Sequence, residues 1–346
     1  MTFPDRNQGG SGVYARSLVA ALRGRDDVEV NEIRAGRPGL GRMAWWLARG
    51  AARQVRDSRS ELLHCPNFVT PWAVKVPVVV TIFDLSTRRF PRDHPLEWRV
   101  YERQALPSRV RRAARVIAIS EVSRKDVIRE YGVRPERVAT VYPGVDPRFF
   151  TAADASGKRL RTKPSILFPG APVARKNLDL VLRAMAAAPP DSALGRAALQ
   201  ISGASAERFP EHTGRIQALR LSNRVEWLGQ VSAEAMPGVM AGADVCVYPS
   251  LYEGFGFPPL EAMASGTPVV SSNASCLPEI LDDAALLIDP SDVTAFGKAV
   301  QSMLTDQDLR ARMIATGRRH AEAFTWERCA QGTFDVYHEA LAQGSA

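Results

Sequence analysis

The sequence has few cysteines, and they lie far apart along the chain. Its 346 residues include only Cys65, Cys246, Cys276 and Cys329, and no two of these form a Cys-x-x-Cys pair. We therefore expect neither a disulfide framework nor a zinc site. Long apolar runs are also missing, since the longest, residues 76–83, is far too short to span a bilayer. No signal peptide opens the chain, so we expect a cytoplasmic protein.

Lysine is scarce as well, because 39 of the 45 basic residues are arginine. The basic excess lies in one half of the chain. Residues 1–160 hold 29 Lys and Arg against 17 Asp and Glu, a net charge of +12, whereas residues 161–346 hold 16 against 20, a net charge of −4. Composition bias explains the arginines but not their location, so a first half that faces an anionic membrane surface stays open. Nucleic acid is not an expected partner, because no nucleic-acid-binding motif is present.

Strand-like and helix-like segments alternate along the whole chain, which is typical of parallel sheets with helical crossovers. In the first half, the clearest strand is residues 76–83, and one helix is predicted over residues 96–114. The second half begins with a strand at 165–168, a helix at 178–187 and a later strand at 244–248. We predict an α/β fold of two doubly wound, Rossmann-like domains facing across a cleft, with ligands at the carboxyl ends of the strands.

A polar stretch without periodicity, residues 149–164, is the predicted linker between the halves. It separates a first domain, residues 1–155, from a second domain, residues 160–322. Residues 323–346 follow with a helical pattern. The first domain reaches a glycine-rich loop within nine residues, so we expect its first strand to be truncated.

The most informative segment runs from Tyr248 to Val270 and reads YPSLYEGFGFPPLEAMASGTPVV. A strand ends at its first residue, a glycine-containing loop follows, and two prolines start a helix. Glu253 lies in the loop and Glu261 in the first helical turn, so both carboxylates are expected at the carboxyl end of the strand. Taken alone, Glu261 would complement the helix dipole and Glu253 would be a solvated loop residue.

A second segment, residues 170–177, reads GAPVARKN and lies between a strand and a helix. Arg175 and Lys176 are adjacent cations at the helix N-terminus, where charge and helix dipole both favour a diphosphate. A solvated basic pair is the alternative.

The first domain contains its own glycine loop, with Gly10 and Gly12 just before the first predicted helix. We interpret this loop as an anion site. Together with Ala15 and Glu32 it also fits a relaxed dinucleotide fingerprint, so a nicotinamide-dependent oxidoreductase remains an alternative.

The Tyr248–Val270 segment resembles the Glu-x7-Glu signature of retaining glycosyltransferases of family 4, the group 1 glycosyltransferases. Residues 170–177 resemble that family's Gly-x4-Arg-Lys-Asn segment. Similarity covers nearly the whole chain, through residues 63–68, 142–150, 225–229, 277–280, 284–290 and 324–326. The resemblance implies a GT-B fold whose terminal helix, residues 323–346, returns to the first domain. It also implies sugar transfer from a nucleotide-sugar with retention at the anomeric carbon and without a metal or cofactor.

The resemblance implies roles for individual residues as well. Glu253 would contact the sugar hydroxyls, Glu261 would contact the ribose diol, and Arg175 with Lys176 would stabilise the leaving diphosphate. Asp84 could orient an acceptor hydroxyl, or it could cap a turn. The donor-binding candidates are Gly10, Gly12, Gly170, Asn177, Gly203, Leu228, Gly254, Phe255, Gly256 and Glu261. The only Asp-x-Asp, at Asp306 and Asp308, is interpreted as helix-terminal charge rather than a metal site.

One position departs from the family pattern. Phe83 ends the strand predicted at residues 76–83, where family members often carry a histidine thought to touch the acceptor or the transferred sugar. A non-catalytic nucleotide-sugar-binding protein therefore remains an alternative. His64, at a neighbouring strand end, is expected to be structural.

Residues 254–261 and 273–279 look most like bacterial mannosyltransferases, which favours GDP-mannose as donor, with UDP-sugars as the alternative. We expect transfer to a glycan or lipid-linked acceptor in cell-envelope polysaccharide synthesis.

A helix predicted over residues 42–56 carries arginine and tryptophan on one side. Arg beside Trp is typical of an interfacial membrane contact, although an ordinary amphipathic helix with solvated arginines fits equally well. Our hypothesis is a peripheral contact with the inner face of the plasma membrane through Arg42, Trp45, Trp46, Arg49, Arg53 and Arg56.

Overall fold

The computed structural model describes residues 2–3, 10–34, 46–155 and 163–344. The chain divides into two compact units, one formed by Met1–Gly144 with Phe324–Ala346 and the other by Val145–Ala323. Both units contain parallel sheets with helices between successive strands. The predicted α/β class with two doubly wound units is therefore confirmed.

The strands of the first unit form two parallel sheets. Strand β1 (Thr2–Phe3) pairs with β2 (Ile33–Arg34) over two residues. Four strands follow in the order 3-4-5-6, namely β3 (Leu63–Cys65), β4 (Val78–Ile82), β5 (Arg115–Ala118) and β6 (Val138–Thr140). The β4 run of β-branched residues is buried from Val79 onward, as expected for a strand covered on both faces.

The described helices of the first unit are Gly10–Arg23, Ala51–Asp57 after a π-helical turn at Trp46–Gly50, Ser86–Arg89, Leu96–Gln104, Leu106–Arg112, Glu121–Tyr131 and Trp326–Gly344. Short 3-10 turns lie at Pro91–Asp93 and Pro135–Arg137. The single helix predicted over residues 96–114 is in fact two helices, because Pro107 lacks an N–H and fits only the first turn of a new helix. Helix Trp326–Gly344 packs on helix Gly10–Arg23 and on strands β4 and β5.

The second unit has one six-stranded parallel sheet in the order 12-11-10-7-8-9. Its strands are β7 (Ser165–Phe168), β8 (Ala198–Ser202), β9 (Val225–Gly229), β10 (Val245–Tyr248), β11 (Val269–Ser272) and β12 (Leu286–Ile288). The strand order reverses between β7 and β10. In open α/β sheets, ligands bind outside the carboxyl ends of the strands at such a reversal.

The helices of the second unit are Arg148–Ala155, Leu178–Ala187, Ala193–Arg196, Pro210–Ala218, Met236–Ala241, Phe257–Ala264, Leu277–Leu281, Val293–Thr305 and Gln307–Ala321. Further 3-10 turns lie at Ala174–Lys176, Ala206–Arg208, Ser222–Arg224 and Asp282–Ala284. Its core consists of apolar side chains from the sheet and from the helices on it, with Phe168, Leu182 and Val247 almost fully buried.

The sequence boundary between the units differs from the predicted linker. Residues 149–155 of the stretch predicted as a linker belong to helix Arg148–Ala155, which packs on helices Met236–Ala241 and Phe257–Ala264 of the second unit. The second unit therefore begins at Val145 rather than near residue 160. Residues 156–162 of that stretch lie outside the described residues.

Candidate functional site

Three charged side chains meet at the carboxyl ends of β7 and β10. Arg175 Nη1 lies 2.6 Å from Glu253 Oε1, and Lys176 Nζ lies 2.8 Å from the same oxygen. The three side chains are between 9% and 19% exposed. We call Arg175, Lys176 and Glu253 the charge cluster. Two cations and one carboxylate give it a net charge of +1.

The strand order explains why residues almost eighty positions apart meet. β7 and β10 are neighbouring parallel strands, so the loops that follow them leave the same edge of the sheet. The two loops are also bonded to each other, because Leu251 N–H donates to the Arg175 carbonyl at 2.8 Å. After the 3-10 turn Ala174–Lys176, Asn177 takes a left-handed conformation with φ of 55°, and its side chain donates to the Pro290 carbonyl at 3.0 Å. Asn177 thus fixes where helix Leu178–Ala187 begins, directly after the two cations.

Glu253 is held ionised despite its burial. Burial raises the pKa of its carboxyl, but the charges of Lys176 and Arg175, with a hydrogen bond from Lys176, bring the pKa below its ordinary value. Tyr248 completes the surroundings: its hydroxyl accepts a hydrogen bond from Lys176 Nζ, which also lies 4.1 Å from the centre of the Tyr248 ring. The carboxylate therefore balances the charge of two neighbouring cations, of which Lys176 is buried and Arg175 is half-buried.

The loop after Glu253 is fixed by its backbone. Ser275 and Glu253 exchange hydrogen bonds, with Ser275 Oγ donating to the Glu253 carbonyl at 2.8 Å and accepting from its N–H at 3.3 Å. Gly254, Phe255 and Gly256 are all buried, and Gly256 has a φ of 109°, which an L side chain rarely adopts. This glycine conformation turns the chain from the loop into helix Phe257–Ala264.

Glu261 lies in the first turns of that helix and is half-buried. Burial, and after it the negative charge of Asp146, raises the pKa of its carboxyl to about 7. Asp146 is held by Arg148, whose Nη2 lies 2.7 Å from Asp146 Oδ2. The two glutamates of the Glu-x7-Glu signature thus differ in electrostatics: Glu253 is stabilised as an anion, whereas Glu261 titrates near neutral pH.

Two glycines meet at the ends of β7 and β8. Gly203 has a φ of 82°, and a Cβ placed on it would lie only 3.1 Å from the Gly170 Cα and the Ala171 N. Its N–H donates to the Gly229 carbonyl at 2.7 Å, which places it beside the end of β9, where Leu228 is half-buried. The donor-binding candidates Gly170, Gly203 and Leu228 therefore lie on consecutive strand ends of one sheet.

The remaining predicted residues belong to the first unit. Gly10 and Gly12 occupy the first turn of helix Gly10–Arg23, where Gly10 is exposed and Gly12 is buried. Asp84 follows β4, and its carboxylate accepts a hydrogen bond from the Ser86 N–H at 2.7 Å. The structure therefore contains a hydrogen bond of the kind that the turn-capping alternative for Asp84 predicts.

Aromatic and polar contacts surround the same strand end. The Phe83 ring lies edge to face with Tyr14 at 5.1 Å. His64 is 3% exposed, and its ring nitrogens bond Tyr337 Oη at 2.7 Å and Thr81 Oγ1 at 2.8 Å. Burial lowers the pKa of His64 to about 3, so the ring is neutral and structural at physiological pH.

The predicted membrane-facing side of residues 42–56 needs a correction. Trp46 is only 3% exposed and packs in the core of the first unit, so it cannot contact a membrane surface. Arg49, Arg53 and Arg56 are exposed, and Arg53 Nε lies 3.4 Å from Asp57. Arg42 and Trp45 lie outside the described residues. None of the described helices is long and apolar enough to cross a bilayer.

Asp306 caps helix Gln307–Ala321 by accepting a hydrogen bond from the Leu309 N–H at 2.9 Å. Within the part of the chain that the structure describes, no group of three or more His, Cys, Asp or Glu side chains could hold a metal ion.

Sequence reasoning missed three residues that shape the site. Tyr248 and Ser275 contact the charge cluster or its loop, and Asp146 acts on Glu261. All three lie in segments already recognised by their resemblance to the family. The resemblance to the family indicates that these segments belong to the site, but it does not show which of their side chains are in contact.

Comparisons with known proteins match these two units. The family described as "Glycosyl transferases group 1" matches residues 151–320, and "Glycosyltransferase Family 4" matches residues 8–149. O-antigen chain mannosyltransferase B of Escherichia coli is 32% identical over 298 residues, which cover 84% of this chain and 77% of that protein. The MMP alpha-(1->4)-mannosyltransferase of Mycolicibacterium hassiacum is 32% identical over 257 residues, covering 73% of this chain and 61% of that protein.

Solved structures show the same fold. Sucrose-phosphate synthase from Thermosynechococcus elongatus aligns with a TM-score of 0.76 at 24% identity, covering 97% of this chain and 94% of that chain. HepE from Anabaena in complex with UDP-glucose aligns with a TM-score of 0.77 at 18% identity, covering 97% and 98%.

Proposed function

Because the chain belongs to the group 1 glycosyltransferases of family 4, which have the GT-B fold, we propose that it transfers mannose from GDP-mannose to a glycan or lipid-linked acceptor. In this proposal the anomeric configuration is retained, and neither a metal nor a cofactor takes part. The acceptor would belong to cell-envelope polysaccharide synthesis.

The charge cluster is the observation that supports this proposal. It lies at the reversal of strand order in the unit that matches the group 1 family, where a ligand of an open α/β sheet is expected. In the proposed reaction, Arg175 and Lys176 would stabilise the negative charge that grows on a leaving diphosphate. Such groups typically contribute about 2 to 4 kcal/mol each in a site that excludes water.

In the proposed step, the acceptor hydroxyl oxygen forms a bond to the anomeric carbon while the bond from that carbon to the diphosphate oxygen breaks. The acceptor proton passes to the leaving diphosphate, so no enzymic base is required. Glu253, held as an anion by Arg175 and Lys176, would accept hydrogen bonds from the sugar hydroxyls. Glu261 would accept hydrogen bonds from the ribose diol.

Backbone groups would complete donor binding. A Cβ on Gly170 would meet no atom within 4 Å, so this glycine leaves space beside the end of β7, and the loop of Gly254, Phe255 and Gly256 follows Glu253 directly. In the first unit, the first-turn N–H groups of helix Gly10–Arg23 would favour an anion through the helix dipole.

Both named mannosyltransferases support mannose as the transferred sugar. A UDP-sugar donor is the second candidate, favoured by the structure of HepE with UDP-glucose. The chain spans 77% and 61% of the two mannosyltransferases, so their acceptors are not carried over.

A donor screen tests this proposal. GDP-mannose and UDP-glucose are incubated with the protein, and release of GDP or UDP is measured with and without EDTA. We expect GDP release that EDTA leaves unchanged, and the Arg175→Gln variant should release GDP about 100 to 1,000 times more slowly. The exposed Arg215→Gln variant is the control. Binding of GDP-mannose without turnover, even as slow hydrolysis, would identify a non-catalytic binding protein instead, and NMR of the product gives its anomeric configuration.

We also propose a peripheral contact with an anionic cytosolic membrane. The exposed Arg49, Arg53 and Arg56 would make this contact, and the buried Trp46 would not take part. Sedimentation with vesicles of phosphatidylcholine, with and without phosphatidylglycerol, tests it. A variant that changes these three arginines to glutamine should lose any preference for the anionic vesicles. Equal sedimentation with both kinds of vesicle would contradict the contact.

A further inference from the structure

A cavity of about 460 Å³ lies in the first unit at the amino ends of its strands. Its wall includes Val78, the first residue of β4, together with Ala114, which precedes β5, and Arg137, which precedes β6. Four residue steps of about 3.3 Å each separate Val78 from Ile82, the two ends of β4, by about 13 Å. The cavity is therefore remote from Asp84, which follows the carboxyl end of β4.

The described residues of the cavity wall carry positive charge. Lys75, Arg109, Arg112 and Arg137 line it, and none of the acidic side chains that the structure describes does. Within the described ranges, none of these four forms an ion pair. Arg137 donates from Nη1 to the Arg111 carbonyl at 3.2 Å, but its buried Nε has no hydrogen-bond partner. A cavity wall with four uncompensated cations favours an anionic ligand.

Arg109 is held in place rather than loosely solvated. Arg109 Nη1 donates to the Thr70 carbonyl at 2.6 Å, and its guanidinium lies 5.7 Å from the Trp72 ring and 6.0 Å from the Tyr101 ring. Burial lowers the pKa of Arg109; the charge of Arg112 adds to this effect, and Tyr101 opposes it. An anion that enters would therefore meet one preorganised guanidinium, that of Arg109, and would relieve the repulsion between like charges.

Trp72 adds an aromatic, largely apolar surface to the charged wall of the cavity. Its side chain lines the cavity and is 56% exposed, which is unusual for so large an apolar ring. The cavity is also many times larger than the roughly 30 Å³ that one water molecule occupies, so it has room for more than a bare anion.

We propose that this cavity binds a phosphate ester, with the phosphate oxygens on Lys75, Arg109, Arg112 and Arg137 and the organic group against Trp72. A soluble sugar phosphate and the headgroup of an anionic phospholipid offer the same chemistry. The site lies outside the residues proposed for sugar transfer and does not depend on that activity.

Titration calorimetry of the full chain tests the site with inorganic phosphate and glucose 6-phosphate at low ionic strength. The Lys75→Gln/Arg112→Gln variant changes two exposed side chains. It should raise the dissociation constants at least about tenfold, because charge-assisted contacts are lost. Arg92→Gln/Arg103→Gln, an exposed pair with the same change in net charge, should leave them unchanged. Trp72→Ala should weaken glucose 6-phosphate but not inorganic phosphate.

Vesicle sedimentation distinguishes the two sources of phosphate. Binding to phosphatidylglycerol vesicles that the Lys75→Gln/Arg112→Gln variant loses, without binding of glucose 6-phosphate, assigns the site to a lipid headgroup. Calorimetric binding of glucose 6-phosphate without vesicle binding assigns it to a soluble ester. The proposal is overturned if neither probe binds, if the two double variants bind alike, or if Trp72→Ala weakens both soluble probes equally.

Discussion

Replacing Glu253 with glutamine removes the carboxylate that balances Arg175 and Lys176. Two unit charges 2.8 Å apart attract by about 6 kcal/mol at an effective dielectric constant of about 20. Desolvation of the buried charges offsets much of this attraction, and removing one partner of a buried pair typically costs about 3 to 5 kcal/mol. Glutamine keeps an oxygen that can accept hydrogen bonds, so we expect a loss of about 3 kcal/mol.

Thermal unfolding of the full chain measures this loss. For a unit of the size of Val145–Ala323, a loss of 3 kcal/mol lowers Tm by about 6 to 12 °C. The control is Glu211→Gln, which changes an exposed helix residue and should alter stability by less than about 0.5 kcal/mol. Because the pKa of Glu253 is lowered on folding, its stabilising contribution should be present at neutral pH and be lost as the pH falls through that lowered pKa.

Adding a diphosphate tests whether the Glu253 carboxylate competes with an anionic ligand for the two cations. In this variant, GDP or inorganic pyrophosphate no longer competes with the Glu253 carboxylate for Arg175 and Lys176. Either ligand should therefore raise the Tm of Glu253→Gln by more than it raises that of the unchanged protein. Two results would refute the reasoning: a Glu253→Gln protein as stable as the unchanged one, or a diphosphate that stabilises this variant less.

Three further predictions concern other parts of the protein. Glu261 has a pKa raised to about 7, so the KM for the donor should rise as the pH falls through 7. The Glu261→Gln variant should show a flatter dependence of KM on pH, and the same dependence in the variant and the unchanged protein would contradict a role of Glu261 in donor binding. Gly203→Ala forces a side chain into a left-handed backbone 3.1 Å from Gly170 and should destabilise by about 1 to 3 kcal/mol in urea unfolding, whereas Gly214→Ala, in an open helical position, should be neutral or stabilising. Trp46→Ala should lower the free energy of unfolding by about 3 to 5 kcal/mol because the ring is in the core, and a change below 1 kcal/mol would show that it is not.

The sheet of the second unit was predictable from the sequence. Strand Ser165–Phe168 and helix Leu178–Ala187 have the predicted bounds. The short apolar run predicts a buried strand, and the amphipathic repeat predicts a helix. Most of helix Arg148–Ala155 lies in the stretch that the sequence predicts as a linker, because its stabilising contacts come from helices Met236–Ala241 and Phe257–Ala264. Tertiary packing of this kind leaves no local signal in the sequence.

The charge cluster was predictable only in part. The types and positions of Arg175, Lys176 and Glu253 indicated a polar site, but their contacts depend on a strand order that joins β7 to β10 across almost eighty residues. Trp46 shows the opposite case. A tryptophan beside arginines has the same sequence pattern whether it faces a membrane or a protein core, and only packing decides between them.

The single positive charge left by the cluster has a consequence for ligand selectivity. Chloride or inorganic phosphate would have to displace a carboxylate that is already bonded to both cations and covalently part of the chain. A small anion brings no other contacts to compensate for that displacement, so it should bind weakly. Only a ligand that adds contacts elsewhere, through a sugar, a ribose or a base, gains enough to displace Glu253, and the abundant salts of a living cell should leave the site open to it.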